Sequence, residues 1–244
     1  MKDYQMPKYL SIANEIIAQI EKRILLPGEK IPSENDIIRN HQVSNTTARK
    51  VLLELESKGW GVKIQGKGTF VRDFVIERNA TKILSFTKNM TNQGLIPSTK
   101  LLDAEVINKD VPISLRGKFY IIKKPVFRIH RLRMANDVPM MHEIRYISMQ
   151  YCPDIEKQNM EKSLYTIYRD VYNLNISLID QELTSILLTE ETCKLFEIKD
   201  FIPGLQVDGV TFCGEGLLLE GEKSVYRGDK YKFSVQAMPE RNIG

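Results

Sequence analysis

Three cysteines in 244 residues, Cys152, Cys193 and Cys213, are too few and too scattered for a disulfide framework or a zinc site. They fit a reducing compartment, so a cytoplasmic location is expected. Histidine is equally scarce: His41, His130 and His142 are dispersed, and no metal or other cofactor is expected. No apolar run approaches the roughly 20 residues that a membrane span needs, and no membrane partner is expected. The opening Met-Lys-Asp-Tyr-Gln lacks the apolar stretch of a signal peptide. Repeats, low-complexity tracts and Pro- or Gly-rich stretches are missing as well. What remains is a length that fits two domains, each large enough to bury a core.

Charge is modest overall, at +4, but uneven along the chain. Residues 1–72 hold 12 Lys+Arg against 8 Asp+Glu, and the rest hold 23 of each, so the whole surplus lies at the start. Concentrated in that way, it is a footprint for nucleic acid.

A first helix is expected over residues 7 to about 24, where Tyr9, Ile12, Ala13, Ile16, Ile17, Ile20 and Ile24 recur at three- and four-residue spacing. Pro27-Gly28 ends it. Ser33 reads as an N-cap able to close a capping box with Asp36, ahead of a short helix that stops near Asn40. Ser44 caps a second helix to about Lys58, with Ala48, Val51, Leu52 and Leu55 inward and Gly59 as its left-handed stop. Its leading side chains are Asn45, Thr46, Thr47, Arg49 and Lys50, the small polar and basic set that a helix presents to a major groove. Its free amides suit a phosphate.

Residues 60–64 and 69–71 then read as strands joined by Gln65-Gly66-Lys67-Gly68. A capped surface helix or a Gly-Lys-Gly hairpin would mean little alone. In succession they describe a winged helix-turn-helix. One such unit spans only a few base pairs, so two copies in a homodimer on palindromic double-stranded operator DNA are expected.

Residues 73–80 are polar and charged, a linker by composition, and residues 81–244 form the second domain. Strands are expected near 100–108, 125–135, 139–147, 205–212 and 217–226, and helices near 86–93, 161–171 and 189–197. That mixture implies an α+β fold with an antiparallel sheet, and Asn136-Asp137 is a two-residue hairpin turn. Alternation puts Phe127, Ile129, Arg131 and Arg133 on one face, with Met141, Glu143 and Arg145 on one face of the next strand. Glu220, Glu222, Ser224 and Tyr226 share a face of the last. Charges on half-buried strands need partners. Either they pair with one another or they ring a polar ligand, for which paired arginines suit a carboxylate or phosphate. Ser85, Phe86 and Thr87 at a helix start could serve the same anion, or Ser85 could simply cap.

Several of these motifs resemble a known family. Pro27-Gly28-Glu29-Lys30-Ile31-Pro32-Ser33-Glu34, Val43-Ser44 with Thr47 and Arg49, and residues 65–71 are similar to the GntR family of bacterial transcription regulators. Arg131-Leu132-Arg133, Pro139 with Glu143, Ser163-Leu164-Tyr165 and residues 224–231 resemble the UTRA effector domain of its HutC subfamily, a chorismate-lyase-like fold. The resemblance implies DNA contacts at Ser44, Thr46, Thr47, Arg49, Gln65, Gly66 and Lys67. Asn35 and Asn45 stand where the family often has arginine. Asparagine pairs with adenine and arginine with guanine, so either an operator with fewer guanine contacts and weaker non-specific affinity is expected, or Asn35 merely caps and Asn45 touches only phosphate.

The resemblance further implies that Arg131, Arg133, Glu143, Ser163, Tyr165, Glu220 and Tyr226 line a cleft for a small-molecule effector, often a sugar phosphate or amino-acid catabolite. It places the homodimer contact in the second domain, and the usual arrangement implies repression. The rival class is a lyase-like enzyme using the same cleft. Against it, no nucleophile–base pair, phosphate loop or metal-ligand set is apparent. A winged helix serving as a plain interaction module is a third reading, which salt dependence separates from DNA binding.

Overall fold

The computed structural model describes residues 6–22, 24–72 and 75–237, in two units that divide between Phe74 and Val75. In the first unit, α1 (Lys8–Glu21), α2 (Glu34–His41) and α3 (Asn45–Ser57) precede a hairpin of β1 (Gly61–Ile64) and β2 (Gly68–Val71). Ile12, Ala13, Ile16 and Ile20 of α1 are buried with Ile37 of α2 and Ala48, Val51 and Leu55 of α3. Burying each large side chain fully contributes about 1.5–3 kcal/mol. The expected apolar face reached Ile24, but α1 stops at Glu21 and Ile24 is 66% exposed. Ending that early, the helix no longer carries Ile24 on its inward stripe.

Local chemistry sets the helix boundaries. Ser33 and Asp36 form the reciprocal capping box, with the Asp36 amide donating to Ser33 Oγ at 3.2 Å and the Ser33 amide to Asp36 Oδ2 at 3.0 Å. Gln42 follows α2 in the left-handed region. Ser44 Oγ accepts the Thr47 amide at 3.2 Å, which opens α3. In the hairpin turn Gly66 has φ +75° and Gly68 φ +116°, a conformation that a β-branched residue would strain. A side chain on Gly68 would also meet Lys30 Cε at 2.8 Å.

The second unit begins earlier than composition suggested. Of the expected linker, residues 73 and 74 lie outside the described residues, while β3 (Ile76–Asn79) pairs in parallel with β12 (Tyr231–Ser234). Polar, charged side chains there disguise a strand whose inward residue, Ile76, is fully buried.

After α4 (Phe86–Asn92) come β4 (Pro97–Ile107), a hairpin of β5 (Val111–Leu115) and β6 (Lys118–Ile122), and then β7 (Val126–Ala135) and β8 (Val138–Ser148). Next are α5 (Leu164–Tyr172), β9 (Ile176–Leu187), α6 (Glu190–Leu195), β10 (Pro203–Cys213) and β11 (Leu217–Arg227). Six strands form one antiparallel sheet in the order β4-β7-β8-β11-β10-β9. The β7–β8 turn is Asn136-Asp137, both left-handed, as a two-residue hairpin requires.

On one sheet face Phe127, Ile129, Ile147 and Leu219 pack with Leu164, Ile167 and Tyr168 of α5. On the other, Val126 and Val210 meet Ile113, Leu115 and Ile122 of the β5–β6 hairpin, and Leu132 meets Cys193 and Phe196 beside α6. The first face also carries the charged residues.

Candidate functional site

The opening of α3 and the wing present a polar, basic surface within the first unit. Asn35, Ser44, Asn45, Thr46, Arg49 and Lys50 are exposed, and Thr47 is half-buried. The hydroxyls of Ser44 and Thr47 lie 3.0 Å apart, so both serve the cap while staying at the helix start. Gln65, Gly66 and Lys67 are exposed at the wing tip. Sequence reasoning missed Lys30, which bridges to Phe70 and lies over Gly68, adding a cation beside the wing. Its position beside Gly68 comes from the Lys30–Phe70 bridge, a pairing too local to stand out in the sequence.

In the second unit the charged strand residues do pair with one another. Arg131 binds Glu143 and donates to the carbonyls of Met160 and Lys162 at 3.0 and 3.1 Å. Arg133 binds the same carboxylate at 2.8 Å and Thr87 Oγ1 at 3.3 Å, with its guanidinium 4.6 Å from the centre of the Phe86 ring. Arg145 joins three acids: Glu143 at 2.8 Å, Glu220 at 3.0 Å and Glu222 at 2.9 Å. Ser224 and Gln181 donate to Glu222 at 2.6 and 2.7 Å, and Tyr168 and Thr211 donate to Glu220. A side chain on Gly209 would meet the Asp180 carbonyl oxygen and Gln181 Cγ, each at 2.9 Å, so β9 and β10 approach closely there.

These ions are almost wholly removed from water, which only dense pairing tolerates. Burial pushes the Glu143 carboxyl up, but three guanidiniums outweigh it and hold the group well below the usual range. Burial dominates at Glu220 and raises it despite Arg145. Burial lowers Arg131 to about 10, still protonated at neutral pH. The network is thus a rigid, charged floor rather than a set of free acids and bases.

Above it lies a narrow cleft whose interior leaves about 20 Å³ of room for a water-sized sphere. The structure brings most of the expected residues to its wall: Arg131, Arg133 and Glu143 from the sheet, Ser85 and Phe86 at the start of α4, and Ser163 and Tyr165 at the start of α5. Tyr226 closes one side, its phenol pushed up to about 12 by burial. Ser85 and Ser163 also cap their helices. Two expected residues do not line the cleft. Glu220 is fully buried beneath Arg145, and Thr87 turns to Arg133 instead.

Arg78 and Leu84 line it unannounced, together with Met141 and Arg145 from the face already read on β8 and Leu164 of α5. Arg145 was legible as a charge on Glu143's strand face. Arg78 was not, because its strand reads as a linker. The Nε atoms of Arg131 and Arg133 are buried without a hydrogen-bond partner among the described residues. Arg227, by contrast, binds Asp229 at 2.8 Å and the Pro139 carbonyl at 3.2 Å, bracing the end of β11.

Away from that face, His130 Nε2 and His142 Nδ1 are 3.2 Å apart. Burial, and then the neighbouring His130, lowers His142 to about 4. A histidine kept neutral when folded but basic when unfolded gives stability that is present above the unfolded pKa near 6.5 and lost as pH falls towards the folded value. Acidifying from pH 7 to 5 should therefore cost about 2 kcal/mol at this residue. Urea denaturation at the two pH values should show that loss in the wild type and much less of it in His142→Leu.

Comparison with known proteins fits both units. Residues 8–71 match the model of the bacterial regulatory proteins of the gntR family, and residues 92–232 match the UTRA domain. The HTH-type transcriptional repressor NagR of Bacillus subtilis strain 168 is 29% identical over 233 residues, 95% of each chain. The mannosyl-D-glycerate transport/metabolism system repressor MngR of Escherichia coli K12 is 28% identical over 232 residues, covering 95% of this chain and 96% of that one. The crystal structure of PhnF from Mycobacterium smegmatis shares the fold at a TM-score of 0.60, with 20% identity over 96% of this chain and 99% of that one. Among the described residues no helix is long and apolar enough to cross a membrane. With a helix-turn-helix unit ahead of a UTRA unit over nearly its whole length, the chain belongs to the gntR family of bacterial regulatory proteins, in the branch that carries a UTRA effector domain.

Proposed function

We propose that this regulator binds palindromic operator DNA as a homodimer in the cytoplasm, and that an anionic, sugar-derived metabolite in the Arg131–Arg133 cleft sets its operator affinity. DNA contact is assigned to Asn35, Ser44, Asn45, Thr46, Thr47, Arg49 and the wing at Gln65, Gly66 and Lys67, with Lys30 added beside them. Asn45 at the head of α3 favours adenine over guanine. Repression is the expected sign, since the relatives NagR and MngR are both named repressors. MngR's name also ties it to a mannosylated glycerate, a sugar that carries a carboxylate.

One observation carries the effector assignment: two neighbouring guanidiniums, Arg131 and Arg133, stand on the wall of a cleft. Binding rather than catalysis is favoured because the floor's acids are already committed. Glu143 is held too acidic to serve as a base at neutral pH, and Glu220 is tied to Arg145, Tyr168 and Thr211. A thermal-shift screen against sugar phosphates, sugar acids and their neutral parent sugars tests the reading. An anionic ligand at 100 times its dissociation constant should add about 2.7 kcal/mol of stability. Stabilisation by the neutral sugars alone would contradict the assignment.

A further inference from the structure

Four arginines reach the cleft, and three of them are held by acids: Arg131 and Arg133 by Glu143, and Arg145 by Glu143, Glu220 and Glu222. Arg78 differs. Among the described residues no carboxylate lies within ion-pair distance of it. Its Nη1 donates to the Tyr226 hydroxyl at 2.7 Å, and its guanidinium lies 5.9 and 5.8 Å from the ring centres of Tyr226 and Phe233. Glu222 acts on it only through space, its direct contacts are neutral, and a fork with five donors keeps most of them for another acceptor.

The strand that carries it matters as much. β3 is not part of the six-stranded sheet. It is held by β12 through four parallel pairs, from Ile76↔Tyr231 to Asn79↔Ser234, and by the Gln93 side chain, which binds the Glu77 amide and carbonyl. Tyr231 and Phe233 of β12 stack edge-on against Tyr226, at 4.7 and 5.2 Å between ring centres. One packed cluster therefore joins the cleft wall to β3. In the chain, only residues 72–75 separate β3 from Val71, the last residue of the wing.

We propose that Arg78 completes the anion clamp with Arg133 and, through β3, reports occupancy of the cleft to the segment that joins the two units. The inference rests on the reading that the cleft takes an anion. An anion bridging Arg133 on the sheet and Arg78 on β3 ties the small two-stranded sheet to the large one. That is a differential interaction of the kind allostery requires.

Hydrogen–deuterium exchange of the full chain tests it, with 100 mM inorganic phosphate compared against chloride at equal ionic strength. In the wild type, phosphate should raise the melting temperature and slow exchange at residues 76–79 and 231–234 by about fivefold or more, the lower end of typical coupling. Arg78→Met should bind phosphate more weakly and lose that protection. Arg78→Lys, which keeps a cation over the rings, should show only part of it, and decides the matter if the methionine variant fails to fold. If the wild type binds phosphate and either folded variant retains full protection and affinity, Arg78 has no such role. If the wild type binds no phosphate at all, the anion reading of the cleft falls first and this inference with it.

Discussion

Replacing Glu143 by alanine should destabilise the UTRA unit by about 3–5 kcal/mol, the usual cost of breaking a buried ion network from one side. Glu143 is the hub that Arg131, Arg133 and Arg145 share, and without it three buried guanidiniums are left to Glu220 and Glu222. The chain has one tryptophan, Trp60, and it lies in the first unit. Urea unfolding followed by tryptophan fluorescence should stay close to wild type, while the β-sheet transition followed by circular dichroism moves to lower urea. A change below about 1 kcal/mol in the sheet transition would mean that the network is solvated and no rigid floor exists.

The same network changes how the cleft can be probed. From the sequence, Arg131→Ala with Arg133→Ala looks like a clean way to abolish effector response while sparing DNA binding. In the structure both arginines neutralise a carboxylate that is 2% exposed. Removing them strands that charge, and loss of response would then be confused with unfolding. Arg78, which makes no direct ion pair with a buried acid among the described residues, is the cleaner target.

Operator affinity should fall about 10³- to 10⁵-fold between 50 and 200 mM salt, as expected when 6–10 phosphates are neutralised. Each copy offers Lys30, Arg49, Lys50, Lys63 and Lys67 near the helix start and the wing, all exposed. The two copies of the proposed homodimer together reach that range. Lys67→Gln or Lys30→Gln should lower the slope of log affinity against log salt by about 1 for each phosphate left unneutralised. Fluorescence anisotropy across a salt series measures both. A slope near zero would point to a winged helix used for something other than DNA.

The legible parts of this molecule were those with local signatures. Ser33 with Asp36, Ser44 before Asn45-Thr46-Thr47, and Gln65-Gly66-Lys67-Gly68 each carry their structural reason within a few residues, and each element formed where it was expected. Alternation likewise placed Arg131, Arg133, Glu143 and Arg145 on one face of the sheet. Long-range pairing was invisible. β3 is polar and is a strand only because β12, some 150 residues later, lies beside it. β9 was missed because Ile176–Leu187 lacks a steady alternation, as befits an edge strand with much of both faces exposed. Whether Glu220 faces a ligand or sits under Arg145 depends on depth in the sheet, which a period of two does not encode.

The most direct measurement is selection of binding sites from random duplexes by the full chain, followed by anisotropy on the recovered sequence with and without the best-binding anionic metabolite. The expected result is a palindrome with adenine where Asn45 reads it, and an affinity that the metabolite changes by about 5- to 150-fold. Enrichment of no duplex, in the presence or absence of metabolites, would contradict the assignment of α3 and the wing as the DNA-reading surface.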